Sequence, residues 1–150
     1  MKVFRIAGKK HASDIYGSGA AMFGGRWNKK GSPVLYTGES KEIALLELIV
    51  YTPPAIVPAL DILTIEIPDD SIIEIQLKDL PDNWCNYPSP SILAEIAEEW
   101  IDANKYIALK VPSSIIHSSR NYILNCRHPE YHKVKVIEQV GFYFDRRFTK

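Results

Sequence analysis

The chain has 150 residues and a mass of 17.0 kDa, with 46% hydrophobic and 24% charged residues, as in ordinary globular proteins. One domain of this length buries enough surface to fold without disulfides or a structural metal, so we expect a single domain over residues 1–150. The apolar runs are far shorter than the roughly 20 residues that span a bilayer, and the basic first ten residues contain no apolar signal core. We therefore expect a cytoplasmic protein with no membrane partner.

Charge is unevenly distributed along the chain, although the formal net charge is +0. Residues 1–31 carry seven Lys or Arg against one Asp, and residues 61–102 carry eleven Asp or Glu against one Lys. Residues 103–150 are again basic, with nine Lys or Arg against three Asp or Glu. The balanced total argues against direct nucleic-acid binding. The basic ends either form solvated faces or converge on a small anionic ligand.

The apolar pattern predicts more strand than helix. We expect strands at 2–7, 34–37, 60–67, 72–77 and 106–111, with one or two closing strands within 134–148. An irregular loop is expected at 8–33, which holds six of the eight glycines, and a polar loop with a short ordered core at 112–129. This order of elements, with short connections, predicts an α+β fold with a compact mixed sheet and few helices.

Two helices are predicted. The first runs from 41 to about 51, with Ser40 as its N-cap and Pro53 and Pro54 ending it. It is apolar on nearly every side, so we expect it to be buried. The second opens near Pro90. Its apolar stripe consists of Leu93, Ile96, Ala97, Trp100 and Ile101.

The segment 17–31, GSGAAMFGGRWNKKG, is the most informative stretch. Glycines let the backbone approach a ligand closely, while Arg26, Lys29 and Lys30 supply positive charge for a phosphate or carboxylate. Met22 stands where a dinucleotide fingerprint needs its third glycine, and no P-loop run is present. The same composition is also typical of a surface loop with solvated lysines.

Glu47 is the one charged residue within 43–50. It shares a helical face with three apolar residues: Ile43, Leu46 and Val50. We expect it inside the protein or at a cavity wall, where a carboxylate must be paired, protonated or catalytic because unpaired burial is costly. A structural ion pair with Arg5 or Arg26 is the alternative.

The segment 111–129, VPSSIIHSSRNYILNCRHP, is dense in hydroxyls and amides that can orient a polyol such as ribose. Cys126, His128 and His132 suggest zinc, but Pro129 interrupts the spacing and no second CxxC pair exists, so we expect no metal. No GxSxG elbow of a serine hydrolase occurs.

Together these segments resemble the RES domain, the toxin of RES–Xre toxin–antitoxin modules, a family named for its arginine, glutamate and serine. The resemblance covers nearly the whole chain: a first strand with Arg5, the GSG…FGGRWN loop, PVLYT, the ALLELIV helix and the VPSS…RNYILNCRHP block. In this order and spacing the combination is specific.

By this resemblance the family arginine falls on Arg26, the tyrosine on Tyr36, the glutamate on Glu47 and the serine on Ser113, with Ser114 as a rival. Substrate-binding roles are implied for Gly24, Gly25, Asn28, Lys29, Asn121 and Asn125. The resemblance further implies a fold similar to ADP-ribosyltransferases and a cytoplasmic enzyme that consumes NAD+ as its substrate and halts growth. No permanently bound cofactor is expected, and the implied partner is a cognate Xre-type DNA-binding antitoxin.

The chemistry of the residues agrees with NAD+ cleavage. Breaking the nicotinamide–ribose bond builds positive charge on the ribose, which the Glu47 carboxylate would stabilise. Arg26 would clamp the pyrophosphate, assisted by Lys29, and Tyr36 would stack on a ring or hold the ribose. Ser113 with Asn125 would bind ribose hydroxyls.

Two alternatives stay open at this point. One is a ribonuclease toxin that uses Arg26, Glu47 and the histidines on RNA, although no histidine lies in a strong acid–base motif. The other is a non-catalytic nucleotide-binding or protein-interaction domain. The ADP-ribosyl acceptor (water, phosphate or a protein) and a homo-oligomeric state are also left open.

Overall fold

The computed structural model describes residues 1–52 and 59–149. Its strands are β1 (Lys2–Gly8), β2 (Val34–Gly38), β3 (Leu60–Glu66), β4 (Ile72–Glu74), β5 (Ala108–Pro112), β6 (Arg120–Asn125) and β7 (Lys135–Phe142). They form one sheet in the order β4-β5-β6-β2-β1-β3-β7. All neighbours are antiparallel except β4 and β5, which are parallel. The expected α+β class with a mixed sheet and few helices is confirmed.

Three α-helices accompany the sheet: α1 (Ser18–Phe23), α2 (Lys41–Tyr51) and α3 (Ser91–Ala103). Ser40 caps α2 as predicted, because its Oγ accepts a hydrogen bond from the backbone N–H of Ile43 at 3.1 Å. Pro53 and Pro54, expected to end this helix, lie outside the described residues. Within the described ranges no helix combines the length and apolar character needed to cross a bilayer.

Two predictions about elements were wrong: α1 lies in a segment predicted as an irregular loop, and β4 ends at Glu74, before a 3-10 turn at Leu77–Asp79. The short ordered core expected within 112–129 is the strand β6. β6 contains only three consecutive apolar residues, yet it is an interior strand that pairs with both β2 and β5. Its place in the sheet therefore outweighs its weak local pattern.

The two longer helices cover the same face of the sheet. The predicted inward stripe of α3 is buried at Leu93, Ala97, Trp100 and Ile101, against β5 and β6. α2 packs on β1 and β2, but only Ile43 and Ala44 are buried, and Tyr51 is 58% exposed. The prediction of a buried α2 was wrong because this helix forms one wall of an open cleft.

The sheet is nearly divided between β1 and β2. β1 pairs with β3 along seven register positions but with β2 at one, where Phe4 lies opposite Gly38. We call this gap the seam. A cleft of about 780 Å³ opens along it and is lined by residues of β1, β2, α1 and α2.

Candidate active site

α2 supplies one wall of the cleft. Residues one turn apart share a helical face, and Ala44, Glu47, Leu48 and Tyr51 all line the cleft. Glu47 therefore lies at the cavity wall, although the predicted companion Val50 is solvent-exposed and does not line the cleft. The apolar neighbours reduce the water around the carboxylate, which strengthens its interaction with a positive ligand.

The Glu47 carboxylate is held by hydrogen bonds rather than by an ion pair. Its Oε1 accepts one from Asn121 Nδ2 at 2.8 Å and one from Ser113 Oγ at 3.1 Å. Within residues 1–52 and 59–149 it forms no ion pair with Arg5 or Arg26, and no histidine donates to it. The carboxylate is thus free to meet a cationic ligand.

Arg26 lies at the tip of a tight turn in the glycine loop. Gly25 and Asn28 pair across this turn, and Trp27 is buried in the core beside α3. The anchored Trp27 leaves Arg26 at the cleft wall, where its Nη1 donates to the Trp84 carbonyl at 2.7 Å. That contact orients the guanidinium, and its other N–H groups stay available for an anion.

Tyr36 offers its ring rather than its hydroxyl to the cleft. The hydroxyl donates to Asn28 Oδ1 at 2.7 Å and accepts from the backbone N–H of Trp27 at 3.0 Å. Burial raises the pKa of this hydroxyl above its ordinary value, so it stays protonated. The aromatic face is left to pack against a planar group.

Gly25 is the position where a side chain would disturb this arrangement most directly. A Cβ there would lie 2.7 Å from Tyr36 Oη and 3.0 Å from Asn28 Oδ1. We expect Gly25→Ala to displace Tyr36 and lower the free energy of unfolding by about 1–3 kcal/mol, the usual cost of overpacking. Gly19→Ala, where a Cβ meets nothing within 4 Å, is the control in thermal unfolding. Equal midpoints for the two variants would contradict this close packing.

Arg5 is a cleft residue that the sequence reasoning treated only as an ion-pair partner. It shares one face of β1 with the buried Val3 and Ala7, and this period-two pattern was the signal for an inward guanidinium. Its Nε is buried without a hydrogen-bond partner in the described part of the chain. Burial lowers the pKa of the Arg5 guanidinium, and the negative charge of Asp14 partly offsets this effect. An arginine side chain nevertheless stays protonated in a protein. The result is a poorly compensated positive charge at the cleft.

Some predicted site residues lie elsewhere. Gly24, Gly25, Arg26, Tyr36, Glu47 and Asn121 line the cleft, whereas Asn28, Lys29, Ser113 and Asn125 do not. Asn28 is buried and bonds within the glycine loop, and Lys29 is exposed. Asn125 points to the end of α3, where its Nδ2 donates to Asn104 Oδ1 at 3.2 Å. Ser114, the rival of Ser113, does line the cleft.

In the described part of the chain, the cysteine and the two histidines of segment 126–132 do not converge on one site. Burial raises the pKa of the Cys126 thiol to about 11, which keeps it neutral and a poor metal ligand. His128 Nδ1 accepts from the backbone N–H of Glu130 at 3.0 Å. Across the described residues, no three His, Cys, Asp or Glu side chains gather where a metal ion could be held.

Comparison with known proteins gives consistent results. A toxin named Toxin Res from Yersinia enterocolitica is 33% identical over 150 residues, covering 98% of this chain and 99% of that protein. A Prs ADP-ribosylating toxin from Sphingobium sp. is 28% identical, covering 93% and 89%. The crystal structure of the M. tuberculosis MbcT–MbcA toxin–antitoxin complex matches the fold with a TM-score of 0.76 at 16% identity, covering 95% of this chain and 84% of the other. Because the RES domain family model matches residues 2–145, this chain belongs to the RES domain family.

Proposed function

We propose that this protein is the toxin of a toxin–antitoxin module and that it consumes NAD+ by cleaving the nicotinamide–ribose bond. Its membership of the RES domain family and its likeness to Toxin Res support the toxin role. The relative named as an ADP-ribosylating toxin supports chemistry on NAD+.

One observation carries the proposal of this substrate. A single cleft combines the Glu47 carboxylate, which has no paired cation among the described residues, with the guanidinium groups of Arg5 and Arg26. NAD+ has the matching charges, because its nicotinamide–ribose end is positive and its pyrophosphate is negative. The ring of Tyr36 supplies a flat wall for one of its two ring systems.

In the proposed reaction the bond between ribose C1′ and the nicotinamide nitrogen breaks, and its electron pair leaves with neutral nicotinamide. The positive charge that remains is shared by C1′ and the ring oxygen, as in glycoside cleavage. Glu47 stabilises this charge, and Arg5 and Arg26 hold the pyrophosphate. The oxygen of the acceptor then bonds to C1′, and the proton that it carries passes to solvent water.

We propose a DNA-binding antitoxin of the Xre type as the partner and the cytoplasm as the compartment. The likeness to a toxin solved together with its antitoxin supports such a partner. No permanently bound cofactor is proposed, since NAD+ is consumed.

The test is to incubate the purified protein with NAD+, with and without inorganic phosphate, and to separate the products by chromatography. We expect free nicotinamide together with an ADP-ribose product. Product without phosphate identifies water as the acceptor, and product only with phosphate identifies phosphorolysis. Intact NAD+ in both mixtures, and in a third that contains a bacterial extract as a source of protein acceptors, would refute the proposed reaction.

A further inference from the structure

Ser113 lies behind the wall of the cleft, and its hydroxyl is fully engaged. The residue is 1% exposed, and the backbone N–H groups of Ile115 and Ile116 donate to its Oγ at 3.1 and 3.2 Å. A serine hydroxyl has two acceptor lone pairs and one proton. Both lone pairs are occupied, so the proton is directed to the one remaining neighbour, Glu47 Oε1, at 3.1 Å.

Asn121 binds the same carboxylate oxygen from β6. Its Nδ2 lies 2.8 Å from Glu47 Oε1. An ionised carboxylate only accepts hydrogen bonds, so this contact fixes the amide with Nδ2 toward Glu47. The Asn121 Oδ1 is buried without a partner in the described part of the chain, so the contact with Glu47 is the side-chain hydrogen bond that this amide makes there.

The two contacts leave the carboxylate asymmetric. Oε1 receives two donors, whereas Oε2 has no hydrogen-bond partner among the described residues. Two bonds to one oxygen fix the rotation of the carboxylate group. Oε2 is therefore the oxygen that remains for a ligand.

We infer that Ser113 and Asn121 are positioning residues, which fix the orientation of the Glu47 carboxylate and present its Oε2 to the substrate. For Ser113 this replaces direct contact with a ribose hydroxyl. The inference rests on the proposed function where it concerns the reaction, but the hydrogen bonding is a property of the free protein and is testable without NAD+.

The first experiment follows the Glu47 carboxyl carbon by NMR in free protein labelled with 13C-glutamate, the signal being assigned by its loss in Glu47→Gln. We expect the chemical shift of this carboxyl carbon to change in Ser113→Ala and in Asn121→Ala, because each substitution removes one hydrogen bond to Oε1. Ser113→Thr, which keeps the hydroxyl, should restore the wild-type chemical shift. Ser118→Ala, which removes an exposed hydroxyl of the same loop, is the matched control and should not change it.

Asn121→Ala is the deciding variant if Ser113→Ala fails to fold, because it leaves the acceptor of the Ile115 and Ile116 N–H groups in place. A Glu47 carboxyl signal that is unchanged in Asn121→Ala overturns the inference for this residue. An unchanged signal in a folded Ser113→Ala overturns it for Ser113.

The second experiment measures nicotinamide release as a function of NAD+ concentration. In Ser113→Ala we expect kcat to fall about tenfold with KM within about twofold of the wild type. A higher KM with kcat unchanged would mean that Ser113 contacts the substrate, and it would overturn the inference. If the wild type releases no nicotinamide, the proposed reaction fails, while the NMR signal still decides the positioning role.

Discussion

Replacing Glu47 by glutamine is expected to lower the rate of NAD+ cleavage by about 10²–10³-fold, the scale seen when one electrostatic contact to a transition state is lost. Glutamine has nearly the same shape, and its Oε1 can still accept from Asn121 and Ser113. The variant therefore keeps the local structure but lacks the negative charge that the ribose requires. Chromatographic measurement of nicotinamide release gives the rate, and circular dichroism checks the fold.

The matched control is Glu42→Gln. Glu42 lies in the first turn of the same helix and is exposed, so the substitution removes one carboxylate from α2 without touching the cleft. We expect activity near that of the wild type. A folded Glu47→Gln protein that keeps wild-type turnover would show that Glu47 has no electrostatic role.

Replacing Arg5 by methionine is expected to weaken NAD+ binding and to stabilise the free protein. A hydrogen bond between charged groups contributes about 1.5–3 kcal/mol, so the dissociation constant should rise roughly 10- to 100-fold. In the free protein the buried Nε has no partner among the described residues, and methionine removes the cost of burying that charge. Each 1 kcal/mol gained would raise the unfolding midpoint by about 2–4 °C.

Calorimetric titration with NAD+ in the Glu47→Gln background, where cleavage is slow, and thermal unfolding without ligand test both parts. Lys2→Met, on the same strand but exposed, is the control and should change neither quantity strongly. Unchanged NAD+ affinity, or a free protein that unfolds at a lower temperature than the wild type, would count against an anion-binding role for Arg5.

Glu47 and Arg26 could be identified from the sequence as candidate site residues because each differs in chemical character from its neighbours in the chain. A charge in an otherwise apolar helix, and an arginine beside a glycine pair, stand out in the order of residues alone. The α+β class could also be predicted, since the longer strands and both longer helices have clear periodicity.

Other parts of the site depend on long-range pairing and could not be predicted. Whether Ser113 or its neighbour Ser114 faces the cleft depends on the turn that follows β5. Asn121 and Asn125 lie on the same face of β6, but only Asn121 reaches Glu47, because the other end of the strand lies beneath α3. The site also requires β1 beside β2, and neither strand contains a signal for that adjacency.

The seam has a consequence for inhibitor design. Phe4 and Gly38 form its one register position, and α2 lies across both strands. Arg5 belongs to one half of the sheet and Tyr36 to the other, so a molecule that contacts both residues bridges the two halves. A compound that binds one half makes one of these sets of contacts. A linked compound that spans the seam makes both sets in one binding event, which raises its affinity.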